Sequence, residues 1–198
     1  DNTGAFTIEN ITGLVKYTDT FLLSIWLGLV ATVVCLIIAY PLAYIMAQKG
    51  PEKQSTMTML IMLPMWMNFL LRTYSWMTIL EDTGLINTVV TSLGFEPLQL
   101  INTRGAVVLG MVYNFLPYMI LPIYTVMLKT DRSLIEAAQD LGGNKLAVFK
   151  NVTIPLTVPG IVSGFTMVFV PSVSTFYISQ KLGGTGTILI GDIIETQF

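Results

Sequence analysis

The sequence predicts an all-α, polytopic membrane protein, and three observations carry that prediction. Of its 198 residues, 53% are hydrophobic and only 11% are charged, where a soluble domain carries about a quarter. Mean hydropathy is +0.70. The few charges are also segregated: none lies between Asp19 and Lys49, only Arg72 between Gln54 and Leu80, none from Gly105 to Leu128, and none from Asn151 to Gln180. A hydrocarbon core about 30 Å thick takes about 20 helical residues, so each stretch holds one span. A barrel strand needs only about 10 residues in alternating pattern, which these runs are too long to match.

Spans are expected near 22–47, 56–80, 105–128 and 156–179, in a single transmembrane domain covering 1–198. The first is too long, and lies behind too many polar residues, for a signal peptide. Lys and Arg set the orientation. Lys49 and Lys53 follow the first span, and Lys129, Arg132, Lys145 and Lys150 lie between the third and fourth, marking that side as cytoplasmic. The other side carries Lys16, Arg104 and Lys181 among the acids Asp1, Glu9, Asp19, Glu81, Asp82, Glu96, Asp192 and Glu195. Both ends then lie outside. Since the chain opens on Asp and closes on an extracytoplasmic stretch, Gly183–Phe198, parity leads to the expectation of a parent with six spans. Pro41, Pro64, Pro117, Pro122, Pro159 and Pro171 fall inside the spans. Each frees a carbonyl that neighbouring helices or water must satisfy. Together they favour a transporter-like bundle over a passive anchor, with packing irregularity the alternative for any one of them.

Composition excludes several chemistries. The charge balance leaves no basic patch for nucleic acid. With no His and a single Cys, Cys35, there is no imidazole base, no Ser-His-Asp triad, no ordinary zinc site and no disulfide framework. No phosphate-cradling G-x-x-x-x-G-K-[ST] occurs. Gly105 to Gly110 has the glycine spacing but runs into Met111, and Gly142-Gly143-Asn144-Lys145 lacks the upstream glycine and the hydroxyl. The chain is expected to be no enzyme, with no cofactor or metal of its own.

Residues 129–155 are the informative loop. Ser133-Leu134-Ile135-Glu136 fits a capping box, with Ser133 as N-cap and Glu136 at N3. A short helix then runs to Leu141, and Gly142 stands where a left-handed residue ends it. Leu134, Ala137, Ala138 and Leu141 form one apolar stripe by their spacing. Asn144 caps a second short helix bearing Leu146 and Phe149, which Ile154-Pro155 ends. A two-turn helix is unstable alone, so the stripe docks either on a partner or on the protein's own spans.

Glu136-Ala137-Ala138, then Gly142, then Val152-Thr153-Ile154-Pro155 resembles the EAA loop of ABC importer permeases. That pattern is EAA, three residues, Gly, nine residues and Ile-x-Leu-Pro, so Val152 and Ile154 each exchange one aliphatic residue for another. The likeness extends over essentially the whole chain. Tyr40-Pro41-Leu42-Ala43-Tyr44, Leu63-Pro64-Met65-Trp66-Met67-Asn68 with Leu71-Arg72, Leu116-Pro117-Tyr118-Met119, and Leu182-Gly183-Gly184 with Gly191-Asp192 are similar to the permeases of spermidine/putrescine importers, the PotB type. The resemblance implies the transmembrane fold of a type I ABC importer, in the cytoplasmic membrane of a bacterium. It implies a second permease, two ATPase subunits that hold ATP and Mg, and an extracytoplasmic substrate-binding protein. It also implies a coupling helix on the ATPase, with Glu136, Ala137, Ala138, Asp140, Leu141 and Gly142 at the contact and Ile154 and Pro155 closing the motif. For Glu136 the cap and the contact are compatible.

Polar and aromatic residues within the spans are the candidates for a solute path. Arg72, the only such charge, is read as snorkelling or as pairing with an acid from a partner, since a polyamine is itself cationic. Trp66 and Trp76, ten residues apart on one expected helix with Asn68 and Tyr74 between them, offer faces that attract ammonium groups by about 0.5–2 kcal/mol each. An interfacial aromatic belt is the competing reading. Glu81 and Asp82 draw cations to the entrance or are plain loop charges. Tyr113, Asn114, Tyr118, Ser172, Ser174 and Tyr177 complete the set, and Met57, Met59, Met62, Met65 and Met67 fill gaps. Two other functions stay open: the same machine moving an amino acid, phosphonate or metal chelate, and a channel that needs no ATPase.

Overall fold

The computed structural model describes residues 17–184 and 187–197, apart from the side chains of Arg132 and Gln197. Asp1, Glu9, Lys16 and Phe198, named above, lie outside the described residues. Every regular element among the described residues is helical. In chain order they are α1 (Thr18–Ala47), α2 (Pro51–Trp66), α3 (Phe69–Leu80), α4 (Leu85–Ser92), α5 (Arg104–Lys129), α6 (Arg132–Asp140), α7 (Lys145–Val148), a π-turn (Phe149–Thr153), α8 (Ile154–Ser174), α9 (Tyr177–Leu182) and α10 (Ile190–Gln197). Three stretches are long and apolar enough to cross a membrane: Thr18–Ala47, Arg104–Lys129 and Lys145–Ser174.

α1, α5 and α8 pack on one another and form the core. Their residues are distributed in the reverse of a soluble helix. The buried face of α1 is a four-residue repeat of small side chains, Ala31, Cys35, Ala39 and Ala43, while Phe21, Leu22, Trp26, Ile37 and Ile45 point outward. Lipid tails solvate large aliphatic groups as well as a protein core does, so close backbone approach drives association and small residues take the interface. α8 does the same with Gly160-Ile161-Val162-Ser163-Gly164. A Cβ on Gly160 would stand 3.0 Å from Ile123 Cα, and one on Gly164 would stand 2.8 Å from Met119 Sδ.

The second expected span is not one helix. Met67 and Asn68 are extended, and α2 and α3 meet there end to end. Pro64 supplies no N–H to the last turn of α2, and the Asn68 carboxamide oxygen accepts the Leu70 N–H at 2.8 Å, starting a new helix. The fourth expected span begins earlier than 156, because Ile154-Pro155 does not end the loop's second helix. The π-turn instead carries that helix straight into α8, with the Ile154 N–H donating to the Phe149 carbonyl. Widening the turn just ahead of Pro155 accommodates a residue that cannot donate.

α4, α9 and α10 gather at the end of the bundle away from α6. There the Asp192 carboxylate accepts the Ser179 hydroxyl at 2.8 Å and the Leu189 N–H at 2.7 Å. Ile190 N–H donates to Ser24 Oγ at 2.8 Å. This ties α9 and α10 onto α1.

Candidate functional site

The loop 129–155 folds as a hairpin whose first helix, α6, makes its main contacts with α7 and the π-turn. It is capped at both ends. Asp131, not Ser133, is the N-cap: its carboxylate accepts the Ser133 N–H at 2.9 Å. The capping box therefore does not form, because Asp131 reaches the exposed amide first, and Glu136 is left exposed and free of that duty. The same backbone hydrogen bond, followed by one from the Ser133 hydroxyl, holds the Asp131 carboxyl below its ordinary value of 3.8.

At the other end Gly142 takes φ +85°. Its N–H donates to Gln139 O at 2.9 Å, and the Gly143 N–H donates to Ala138 O at 3.1 Å. This pair of bonds is the Schellman closure.

The apolar stripe does not pack on the protein's own spans. Leu134 and Ala137 are exposed, Ala138 is half-buried, and Leu141 at the tip is 90% exposed. Asp140 and Gly142 beside it are exposed too. What holds the hairpin to the bundle is Phe149, set edge-on to Tyr40 at 5.8 Å and to Tyr44 at 5.5 Å, together with buried Val148. Leu146, expected on the same face as Phe149, is 75% exposed. The π-turn separates their roles by rotating Phe149 inward. Ile154 and Pro155 sit at the base of α8. Between α6 and the helix ends lies a cavity of about 540 Å³, lined among others by Tyr44, Gln48, Gln54, Glu136, Gln139 and Thr157.

The path candidates do not converge on one place. Tyr74 and Tyr177 do meet, at 6.3 Å between ring centroids, with Phe69 5.9 Å from Tyr177. Lys181 Nζ rests 5.4 Å from the Tyr74 ring centre and 5.8 Å from that of Tyr177. Trp76 packs edge-on to Tyr113 at 5.3 Å. Trp66 is not on the helix of Trp76: it ends α2, is 74% exposed, and lines a separate groove with Thr58, Met62 and Tyr124.

Asn68 is spent on capping α3. Glu81 works through its backbone, which accepts from Gly84 and Asn87, and Asp82 is exposed. Tyr118 faces another groove with Pro122 and Gly160. Asn114 and Ser172 are buried, each with one side-chain oxygen unpaired. Ser174 bonds back to Val170 O at 3.1 Å. Arg72 is buried beside Phe69, its guanidinium 6.0 Å from the ring centre. Phe69 and Lys181 were missed by the sequence reading. The spacing Tyr177 to Lys181, one helical turn, is the signal that could have found the second of them.

The family model for the inner membrane component of binding-protein-dependent transport systems matches residues 39–198. The spermidine/putrescine transport system permease protein PotB of Haemophilus influenzae is 39% identical over 196 residues, covering 97% of this chain and 68% of the relative. That of Escherichia coli is 38% identical over 197 residues, covering 98% and 72%. The inner membrane ABC transporter permease protein YdcU of Escherichia coli is 29% identical over 211 residues, covering 98% and 67%.

Proposed function

The chain belongs to the family of inner membrane components of binding-protein-dependent transport systems, and on that premise we propose that it is the permease subunit of an ATP-driven polyamine importer. It is integral to the membrane, with α1, α5 and α8 as continuous spans and α2 with α3 as a broken one. Spermidine or putrescine is the cargo named by the relatives.

The observation that carries the coupling mechanism is the uncovered apolar face of the loop, Leu134, Leu141 and Leu146. Each leucine that a partner covers fully contributes about 1.5–3 kcal/mol. A helix this short gains a fixed position only through that docking. In this reading the loop faces the cytoplasm and seats on one of two ATPase subunits, which hold the ATP and Mg that this chain has no motif to bind. Closure of the ATPases draws the loops together. Through the unbroken α7–α8 rod it swings the spans of this chain and of a second permease between inward-open and outward-open states. An external binding protein delivers the cargo. Aromatic faces at Trp76 and Tyr113 attract ammonium groups strongly enough for passage and weakly enough for release.

The test is ATP-dependent uptake into proteoliposomes holding the complete complex. Labelled spermidine and putrescine are compared with an amino acid, a phosphonate and a metal chelate. Uptake of polyamine alone, dependent on ATP, is expected. Uptake of another solute in its place would reassign the cargo, and uptake without ATP would make the protein a channel.

A further inference from the structure

Arg72 is the one charge placed within the membrane-depth part of the α2–α3 pair, and its chemistry is incomplete. The side chain is 9% exposed. Nε and Nη1 are buried with no hydrogen-bond acceptor among the described residues. What it has instead is the Phe69 ring at 6.0 Å, a weaker partner than a carboxylate accepting the guanidinium fork. Arginine does not shed its proton in a protein, so the positive charge persists and requires a counter-group.

Among the described residues no acid bonds these two nitrogens. Asp192 is taken up by Ser179 and the Leu189 N–H, Glu195 by Gln180, and Asp131 by the α6 cap. Glu81, at the far end of α3, stands about 13 Å along the axis from Arg72. Lys181 lies on the same aromatic cluster, over Tyr74 and Tyr177. The flanking Leu71 and Tyr74 are exposed. The edge made by α3 and α9 thus brings together a buried cation, a second cation and an uncovered aromatic surface.

We infer that this α3–α9 edge is the face the chain presents to the second permease, and that the partner permease places a carboxylate opposite Arg72. The inference rests on the reading of the chain as one of two permeases. Charge complementarity selects the occupant: lipid tails provide no acceptor, and a cationic cargo repels the site.

The experiment purifies the complete transporter through a tag on this chain and measures how much of the second permease and of the ATPase comes with it. Arg72→Met should lower the retained second permease by roughly tenfold, the cost of breaking one desolvated charge pair. The ATPase, held by the remote loop, should stay. Arg72→Lys should give an intermediate loss, because it keeps the charge without the fork. Independently, Leu71→Cys should cross-link to the second permease with a short bifunctional maleimide, which decides the matter if Arg72→Met sheds the ATPase as well through misfolding. Undiminished second permease in Arg72→Met overturns the inference, as does a Leu71→Cys that labels without cross-linking, the result expected of a lipid-facing surface. Either failure leaves the importer reading standing. A wild-type complex that retains ATPase but no second permease overturns the two-permease reading itself.

Discussion

At the residue scale, the loop is shaped by three positions whose demands differ. Gly142 needs its left-handed φ of +85°, but a Cβ there meets nothing within 4 Å. Gly142→Ala is therefore expected to cost only backbone strain, roughly 1–2 kcal/mol, and Gly142→Asn less, since Asn tolerates that region. Gly143 is the reverse case: a Cβ would stand 2.6 Å from the Ala138 carbonyl oxygen that its own N–H must reach. Gly143→Ala should break the closure. Amide exchange across 137–143 in the purified complex checks the order Asn, then Ala at 142, then Ala at 143. A Gly142→Ala variant that exchanges faster than Gly143→Ala would refute it.

Asp192 carries a pH dependence. Burial pushes its carboxyl above the ordinary value of 3.8, against the Leu189 N–H and Ser179 bonds that pull it down, with Glu195 adding to the rise. A raised folded value means that the stabilising contribution is full below about 3.8 and is lost as pH rises through the folded value. The Tm of the wild type should fall from acid toward neutral pH relative to Asp192→Asn, which cannot ionise. Parallel pH profiles for the two would contradict the assignment.

At the scale of elements, the crossing of α5 and α8 depends on Gly160 and Gly164. Ile123, Pro122 and Met119 leave no room for larger groups there. Gly160→Val is expected to destabilise by about 1–3 kcal/mol through overpacking, and Val162→Ala, on the exposed side of the same helix, to change little. Thermal denaturation in detergent reads the difference. Much of this level was legible in the sequence. The charge-free runs located α1, α5 and α8, and the Glu136 to Pro155 spacing located the loop. The break at Met67–Asn68 was hidden because hydropathy is blind to a cap, although Pro64 followed by Asn68 is the local chemistry that makes it. The π-turn has no signature of its own, so Pro155 was read as a stop when the helix absorbs it. The stripe's alternatives, own spans or partner, could not be separated from periodicity alone. In the structure Phe149 anchors the hairpin while Leu134 and Leu141 stay exposed.

At the scale of the whole molecule, the protein is a three-helix core of closely approached backbones, with a broken span along one edge and a hairpin standing off one end. The hairpin's second helix is continuous with α8 through the π-turn, the connection on which the proposed coupling relies. The candidate path residues stand on several surfaces of this chain, and polarity and aromatic content alone do not order them.

The exposed tip of that hairpin, Leu141, is where the proposed coupling is most directly tested. Leu141→Asp is expected to leave the bundle untouched, since the side chain is 90% exposed, and it places a charge where an ATPase groove is proposed to close. In proteoliposomes of the complete complex, the stimulation of ATP hydrolysis by polyamine-loaded binding protein should be lost together with uptake, while the variant keeps the wild-type Tm. Wild-type stimulation and uptake in Leu141→Asp would contradict coupling through this loop.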